Sequence, residues 1–465
     1  MFHHPASFKI TSAAEKKLES LPVSRISPTK IIVFGYLAII AAGTLLLMFP
    51  VSTRVGIVTP LVDALFTATS ATCVTGLVVF DTYTYWSLFG QLVILALIQV
   101  GGIGFMTLSI VSVMFMRRKI SLRHRFMMQE SVSAPQVGGI VKMARFIFFG
   151  TVIIEGIGAV LLSFRLCPQN GFWKGLYYSI FFSISAFCNA GFDLMGQVQP
   201  FSSLTSVASD PLFNGVIMAL VVIGGLGFYV WADIVENKTR FNRYKLNSKL
   251  VLVTSGVLLL GGAVLFALLE WNGEAFAGAS PWEKCLFSLF QSVTVRTAGF
   301  NTVDLSKFSD GGILLSCALM LIGGSPGSTA GGIKTTTFAV LFLTILSELK
   351  NKKEVECFRR RIGAEVLKQA CSIFMLYLSI VLAASLAISS LDGIGLRAVL
   401  FETVSAIGTV GLSLGATPGL SVWSHIILIA MMFLGRVGGL TMLVLFSDLY
   451  DTSPSRLPLE RISVG

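Results

Sequence analysis

Charge is scarce in this chain: only 13% of its 465 residues are Asp, Glu, Lys or Arg, where a soluble protein carries about 25%. A water-exposed shell over a globular core is thereby excluded. Histidine is rarer still, with four residues, and neither the His3–His4 pair nor the isolated His124 and His425 has metal-ligand spacing to a cysteine. The seven cysteines (73, 167, 188, 285, 317, 357, 371) contain no CxxC and are odd in number, which leaves no zinc site and no disulfide framework. Cys73 and Cys188 read as small packing residues. Residues 1–30 are polar and basic, without the apolar core of a signal peptide.

Abundance lies on the apolar side. The chain is 54% hydrophobic with 36 phenylalanines, and several apolar runs are long enough to span a bilayer core. It reads as a polytopic integral membrane protein. The basic residues are placed unevenly: they gather at the N-terminus (Lys9 to Lys30) and in segments 117–145, 238–249, 350–368 and 456–461, and are thin elsewhere. By the positive-inside rule these segments and both termini are cytoplasmic. The net charge of +11 is then a consequence of topology and not a nucleic-acid surface, so no nucleic-acid partner is expected.

One phrase occurs four times. Cys73-Val74-Thr75-Gly76-Leu77, Cys188-Asn189-Ala190-Gly191-Phe192, Arg296-Thr297-Ala298-Gly299-Phe300 and Gly408-Thr409-Val410-Gly411-Leu412 place their last glycines 115, 108 and 112 residues apart. Each repeat predicts a long apolar helix (31–49, 146–164, 250–269, 370–387) and then a half-length helix of about 13 residues (59–71, 173–186, 281–294, 396–408), too short to cross. A second long helix follows (88–115, 212–232, 313–346, 426–446). The expected fold is all-α, with four membrane–pore-helix–membrane repeats in pseudo-fourfold array around one pore. Repeats are expected at about 31–116, 141–235, 249–349 and 364–448 within a membrane domain 31–448, flanked by cytoplasmic segments 1–30 and 449–465.

Irregular backbone at membrane depth survives only where it is buried or lines water. Four glycine loops around one axis present a ring of backbone carbonyls, which is how a protein replaces the water of an alkali cation. The candidate filter is Val74, Thr75 and Gly76; Asn189, Ala190 and Gly191; Thr297, Ala298 and Gly299; and Thr409, Val410 and Gly411, with K+ at their carbonyls. Arg296 borders the third loop and is expected to brace it. Glu402, in the fourth pore helix, is expected to tune the filter field, anchor a nearby donor or orient its helix. Asp63, Glu155, Asp233 and Glu270 are read as helix-end residues with capping or solvated roles.

The third second-helix is interrupted by Gly323, Gly324, Ser325, Pro326, Gly327, Ser328, Thr329, Ala330, Gly331 and Gly332, followed by Ile333 and Lys334. Proline removes a backbone donor and the glycines loosen the helix. A phosphate loop fails because Ile333 separates Gly332 from Lys334. A hydrolase using Ser325 or Ser328 lacks a base, since nothing pairs His425 with either. The glycines of Ile98–Phe105 and Val222–Phe228 are read as close helix packing. Arg436, mid-helix in the fourth repeat, is a functional candidate because an intramembrane charge is costly.

These loops and the glycine stretch resemble the Trk/Ktr/HKT superfamily of potassium transporters, most closely the KtrB-type pore subunit, over about residues 31–446. The chain starts its first repeat by residue 31, without the extra leading helices of TrkH-type members. The resemblance implies potassium uptake across the bacterial plasma membrane, with a filter of one glycine per loop that admits some sodium. Residues 323–332 with Lys334 would be a gate beneath that filter, and Arg436 would face the pore as part of its barrier. It further implies a homodimer and a separate cytoplasmic nucleotide-binding ring of KtrA type, for which segments 238–249 and 350–368 are the candidate docking surface. No nucleotide is expected on this chain, nor enzyme activity. The alternative is the translocating subunit of an ATP-driven potassium pump.

Overall fold

The computed structural model describes residues 28–104, 107, 140–352 and 354–439. Most of the N-terminal segment, the basic stretch 117–139, Lys353 and the expected C-terminal tail lie outside the described residues.

The first repeat consists of α1 (Pro28–Met48), α2 (Leu61–Thr72) and α3 (Leu88–Ile103); the second of α4 (Ile140–Asn170), α5 (Phe172–Phe187), α6 (Pro211–Gly225) and α7 (Phe228–Asn237). The third contains α8 (Leu246–Glu270), α9 (Pro281–Thr294), α10 (Asp310–Leu321) and α11 (Thr335–Leu349), then a short hairpin, β1 (Val355–Cys357) and β2 (Arg360–Ile362). The fourth is α12 (Ala364–Asp392), α13 (Leu396–Gly408) and α14 (Val422–Val437). By length and apolarity α1, α4, α8 and α12 each suffice to cross a bilayer. Their outward faces carry bare apolar side chains, such as Leu260 at 68% exposure and Leu268 at 74%. Lipid is the solvent that tolerates such a surface.

The polar residues are inside. Thr67, Thr69, Ser70, Thr72, Ser183, Ser185, Ser292, Thr294, Thr403 and Ser405, all on the short helices α2, α5, α9 and α13, are buried. The second helices start at capped N-termini: the side chains of Ser87, Asp210, Ser309 and Ser421 each accept a backbone N–H from the first turn. Each then leans on the short helix of the following repeat: α3 on α5, α6 on α9, α10 on α13, and α14 back on α2. That order closes a ring.

The second helices depart from the expected long spans. All four stop or break part-way: α3 at Ile103, α6 at a 94° bend into α7, α10 at Leu321 and α14 at Val437. Residues 105–106, 108–115 and 440–446 of the expected spans lie outside the described residues. Gly104, Gly227 and Gly438, at φ 89°, 92° and 92°, make three of the breaks, in a region of backbone space open in practice to glycine alone. The packing expected of the neighbouring glycines is also present. A Cβ on Gly101, Gly224 or Gly435 would collide with the carbonyl of Thr72, Phe187 or Ile407, at the end of a short helix. One glycine cluster thus brings two backbones together, and the next glycine ends the helix.

Candidate functional site

The short helices end where the repeated phrase begins. Cys73 and Cys188 cap α2 and α5 in helical conformation. The next residue in each, Val74 or Asn189, turns left-handed (φ 57° and 60°), as do Thr297 (70°) and Thr409 (51°) in the other loops. Two residues on, Gly76, Gly191, Gly299 and Gly411 again have positive φ (92°, 69°, 81° and 91°). In an ordinary strand successive residues face opposite sides; reversing φ at alternate residues brings their carbonyls to one side. A non-glycine residue in this region is strained by roughly 1–3 kcal/mol, and the same strain recurs in all four loops.

The four loops meet. A Cβ built on Gly76 would lie closer than 3.0 Å to the Ala190 carbonyl, one on Gly191 to Ala298, one on Gly299 to Val410, and one on Gly411 to Thr75. The contacts run round in chain order and return to the first repeat. Any side chain at these glycines would therefore enter the ring. Behind it, Gly76 N–H donates to Ser70 Oγ (3.1 Å) and Gly411 N–H to Ser405 Oγ (3.1 Å), while Ser185 Oγ donates to the Phe192 carbonyl (2.7 Å) and Thr294 Oγ1 to that of Phe300. The third loop is wound one residue tighter. Ala298 N–H reaches back four residues to Thr294, whereas Thr75, Ala190 and Val410 reach back five. Thr297 and the Asn189 carboxamide hydrogen-bond at 3.1 Å, joining the second and third strands.

Glu402 is fully buried and accepts from Ser413 Oγ, from Leu414 N–H (3.1 Å) and from Thr417 Oγ1 (2.6 Å). Of its expected roles, the geometry is that of an anchor for the segment just beyond the fourth glycine. Arg296 turns away from the ring and donates to Ser255 Oγ (3.3 Å) and the Ser255 carbonyl (3.5 Å) on α8. That contact ties the third loop to its own repeat's first helix.

Between α10 and α11 the chain from Ile322 to Lys334 folds as a loop stitched to the second and fourth repeats. Ser325 and Thr329 N–H donate to the Gly225 and Gly224 carbonyls, and Phe228 N–H donates back to Gly327 (3.0, 3.3 and 2.8 Å). Gly331 N–H donates to Thr409 Oγ1 (3.1 Å), so the loop touches the fourth strand directly, and Gly332 N–H reaches the Gly435 carbonyl (3.3 Å). Arg436 donates to the carbonyls of Thr329, Gly101 and Gly102, the last at 3.3 Å, and Lys334 Nζ donates to Ala330 (2.8 Å). Neither cation makes an ion pair among the described residues. Both line a cavity of about 510 Å³, with Gly104, Phe228, Gly332 and Gly438, to which none of the ring residues contributes.

The two segments expected as a docking surface come together. Phe241 and Phe358 rings lie 6.1 Å apart, and Lys249 sits over both. Ion pairs from Lys352 to Glu356 and from Arg361 to Glu354, each 2.9 Å, brace the hairpin.

One acidic residue was misread. Asp233 and Glu270 do act near helix ends, accepting from Lys245 N–H and Ser309 N–H respectively, and Asp63 lies in the first turn of α2. Glu155 does not: it sits midway along α4, buried, and accepts from Gln99 Nε2 (2.9 Å) and Cys188 Sγ (3.8 Å). The signal was available, since the residue falls at the centre of the expected span 146–164.

A lipid-facing helical sheath around a ring of four backbone loops, with a stitched loop and a cavity beside it, defines a membrane transport protein. The chain belongs to the TrkH family of cation transport proteins, whose sequence profile matches residues 6–453. It is 40% identical over 446 residues to the Ktr system potassium uptake protein B of Bacillus subtilis, covering 95% of this chain and 97% of that one. Against the potassium/sodium uptake protein NtpJ of Enterococcus hirae it is 38% identical over 449 residues, covering 95% and 98%. The solved potassium transporter TrkH of Vibrio parahaemolyticus shares the fold at TM-score 0.72 and 18% identity, over 92% of this chain and 86% of that one. The chain is a transporter of this family and not an enzyme.

Proposed function

We propose that this protein carries potassium into the cell across the bacterial plasma membrane, with residues 31–448 forming the conducting unit and both termini cytoplasmic. The observation that carries this reading is the closed ring of Gly76, Gly191, Gly299 and Gly411, each against the carbonyl before the next glycine. Carbonyls from four strands replace the hydration shell of a dehydrated monovalent cation. One glycine per loop gives a short filter, which fits passage of some sodium, as the name of the Enterococcus relative suggests. The loop 323–332 with Lys334 and Arg436 is the gate: it lies across the axial path, is held by reversible hydrogen bonds, and presents to an arriving cation two others that have no ion pair among the described residues. The names of the Bacillus relatives place them in a multi-part Ktr system. A homodimer bound to a nucleotide-binding ring of KtrA type at the Phe241–Phe358 surface is the corresponding assembly here.

The test is uptake of rubidium, as a potassium surrogate, into proteoliposomes holding this chain with the regulatory ring and ATP, under sodium competition. Influx that persists with non-hydrolysable ATP and favours rubidium over sodium is expected. Influx that requires ATP hydrolysis would identify the pump subunit instead.

A further inference from the structure

We infer that Glu155 is a specificity-determining positioning residue for the second filter strand; the inference rests on the filter reading above. An ionisable residue at the middle of a membrane helix is costly and is retained for a reason. No other first helix has one there: α1 contains no acidic residue, and the acidic residues of α8 and α12 lie at or near their ends.

Glu155 holds α5 at two points. Its main-chain carbonyl accepts from Ser183 Oγ (2.6 Å), and its Oε1 accepts from Cys188 Sγ (3.8 Å). Cys188 is the last helical residue before Asn189, the left-handed residue that opens the second strand. The thiol also faces Gln99 Oε1 (3.7 Å) and fills the space that a side chain on Gly102 would need. Gln99 Nε2 completes the cluster by donating to Glu155 Oε2 (2.9 Å). With an acceptor contact at each oxygen, the Glu155 carboxyl group is held in one orientation between Gln99 and Cys188. Cys188 is thereby locked between α4 and α3, and the strand that follows it has a fixed origin.

Two consequences follow from the connections. Asn189 is hydrogen-bonded to Thr297, so a shift at Cys188 moves the third strand as well as the second. Gln99 lies two residues before Gly101, whose carbonyl receives Arg436, so the same cluster borders the gate contact. Glu155 touches no transported ion in this arrangement; it acts through the strand it positions.

The experiment compares Glu155→Gln, Glu155→Asp and Gln99→Leu in full-length protein reconstituted with its regulatory ring, reading the ratio of rubidium to sodium influx and not total flux. Gly191→Ser is measured in parallel as the probe of the filter itself. Glu155→Gln is expected to lower the ratio by about tenfold, Gln99→Leu to shift it in the same direction, and Glu155→Asp to restore part of it. An unchanged ratio in Glu155→Gln while Gly191→Ser alters it would overturn the inference and leave the filter standing. An unchanged ratio in both would remove the filter reading itself. Should Glu155→Gln fail to fold, the ratios in Glu155→Asp and Gln99→Leu decide, and wild-type values in both would overturn the inference.

Discussion

Replacing Arg436 separates the two things this residue is placed to do. Its guanidinium donates to the carbonyls of Thr329, Gly101 and Gly102, pinning the loop proposed as the gate to the end of α3. Hydrogen bonds from an ionised donor contribute roughly 1.5–3 kcal/mol each. Water in the adjoining cavity can satisfy the freed carbonyls, so a net loss of about 3 kcal/mol for the closed loop is a conservative figure. Every 1.4 kcal/mol is tenfold, which corresponds to about a hundredfold gain in the open population. The charge adds a second barrier: a cation passing about 6 Å away at an effective dielectric near 20 is repelled by about 3 kcal/mol. Arg436→Ala removes both effects, and rubidium influx through this chain reconstituted alone should rise at least a hundredfold. Arg436→Lys keeps the charge but loses the planar fork, and a rise of only about tenfold is expected. The assay is rubidium influx into proteoliposomes at matched protein density. Wild-type influx in a folded Arg436→Ala protein would refute the reasoning.

Other substitutions probe separate parts of the account. Gly76→Ser places a side chain against the Ala190 carbonyl, and preference for rubidium over sodium should fall at least tenfold in competition assays. Gly227→Ala combines φ 92° with a collision at the Pro326 carbonyl; strain of roughly 1–3 kcal/mol should loosen the seat of the proposed gate loop and raise influx through this chain reconstituted alone. Glu402→Ala strips acceptors from Ser413, Leu414 and Thr417, and orphaned buried donors cost about 1–3 kcal/mol each. A clear drop in thermal stability in detergent is expected, with Glu402→Gln recovering part of it.

Much of this architecture is written in the sequence because repetition does what alignment would. Four matched glycine phrases mark the loops, and a 13-residue apolar segment cannot cross a bilayer, so the short helices α2, α5, α9 and α13 are legible within a few residues. The breaks after Ile103, Gly225 and Val437 were not. A glycine that permits packing and a glycine that reverses φ look alike in sequence, and only the third repeat advertises its break with proline. Glu155 was misread although its place at the centre of span 146–164 was legible; its partners were not. Gln99 and Cys188 come from two other helices, and only the fold brings them to one carboxyl group. Arg296 was read as a brace from its position beside the third loop, but the role of Glu402 was left between alternatives because a charged residue on a buried helix does not reveal which way it turns.

The central claim is that the four loops hold a dehydrated cation at one level. Its most direct test is a structure of the protein in rubidium, with anomalous scattering used to locate the ion. A peak on the axis between the carbonyls of Thr75, Ala190, Ala298 and Val410, lost in Gly76→Ser, is the predicted result. Saturating rubidium with no peak at that ring, or peaks only at the protein surface, would contradict it.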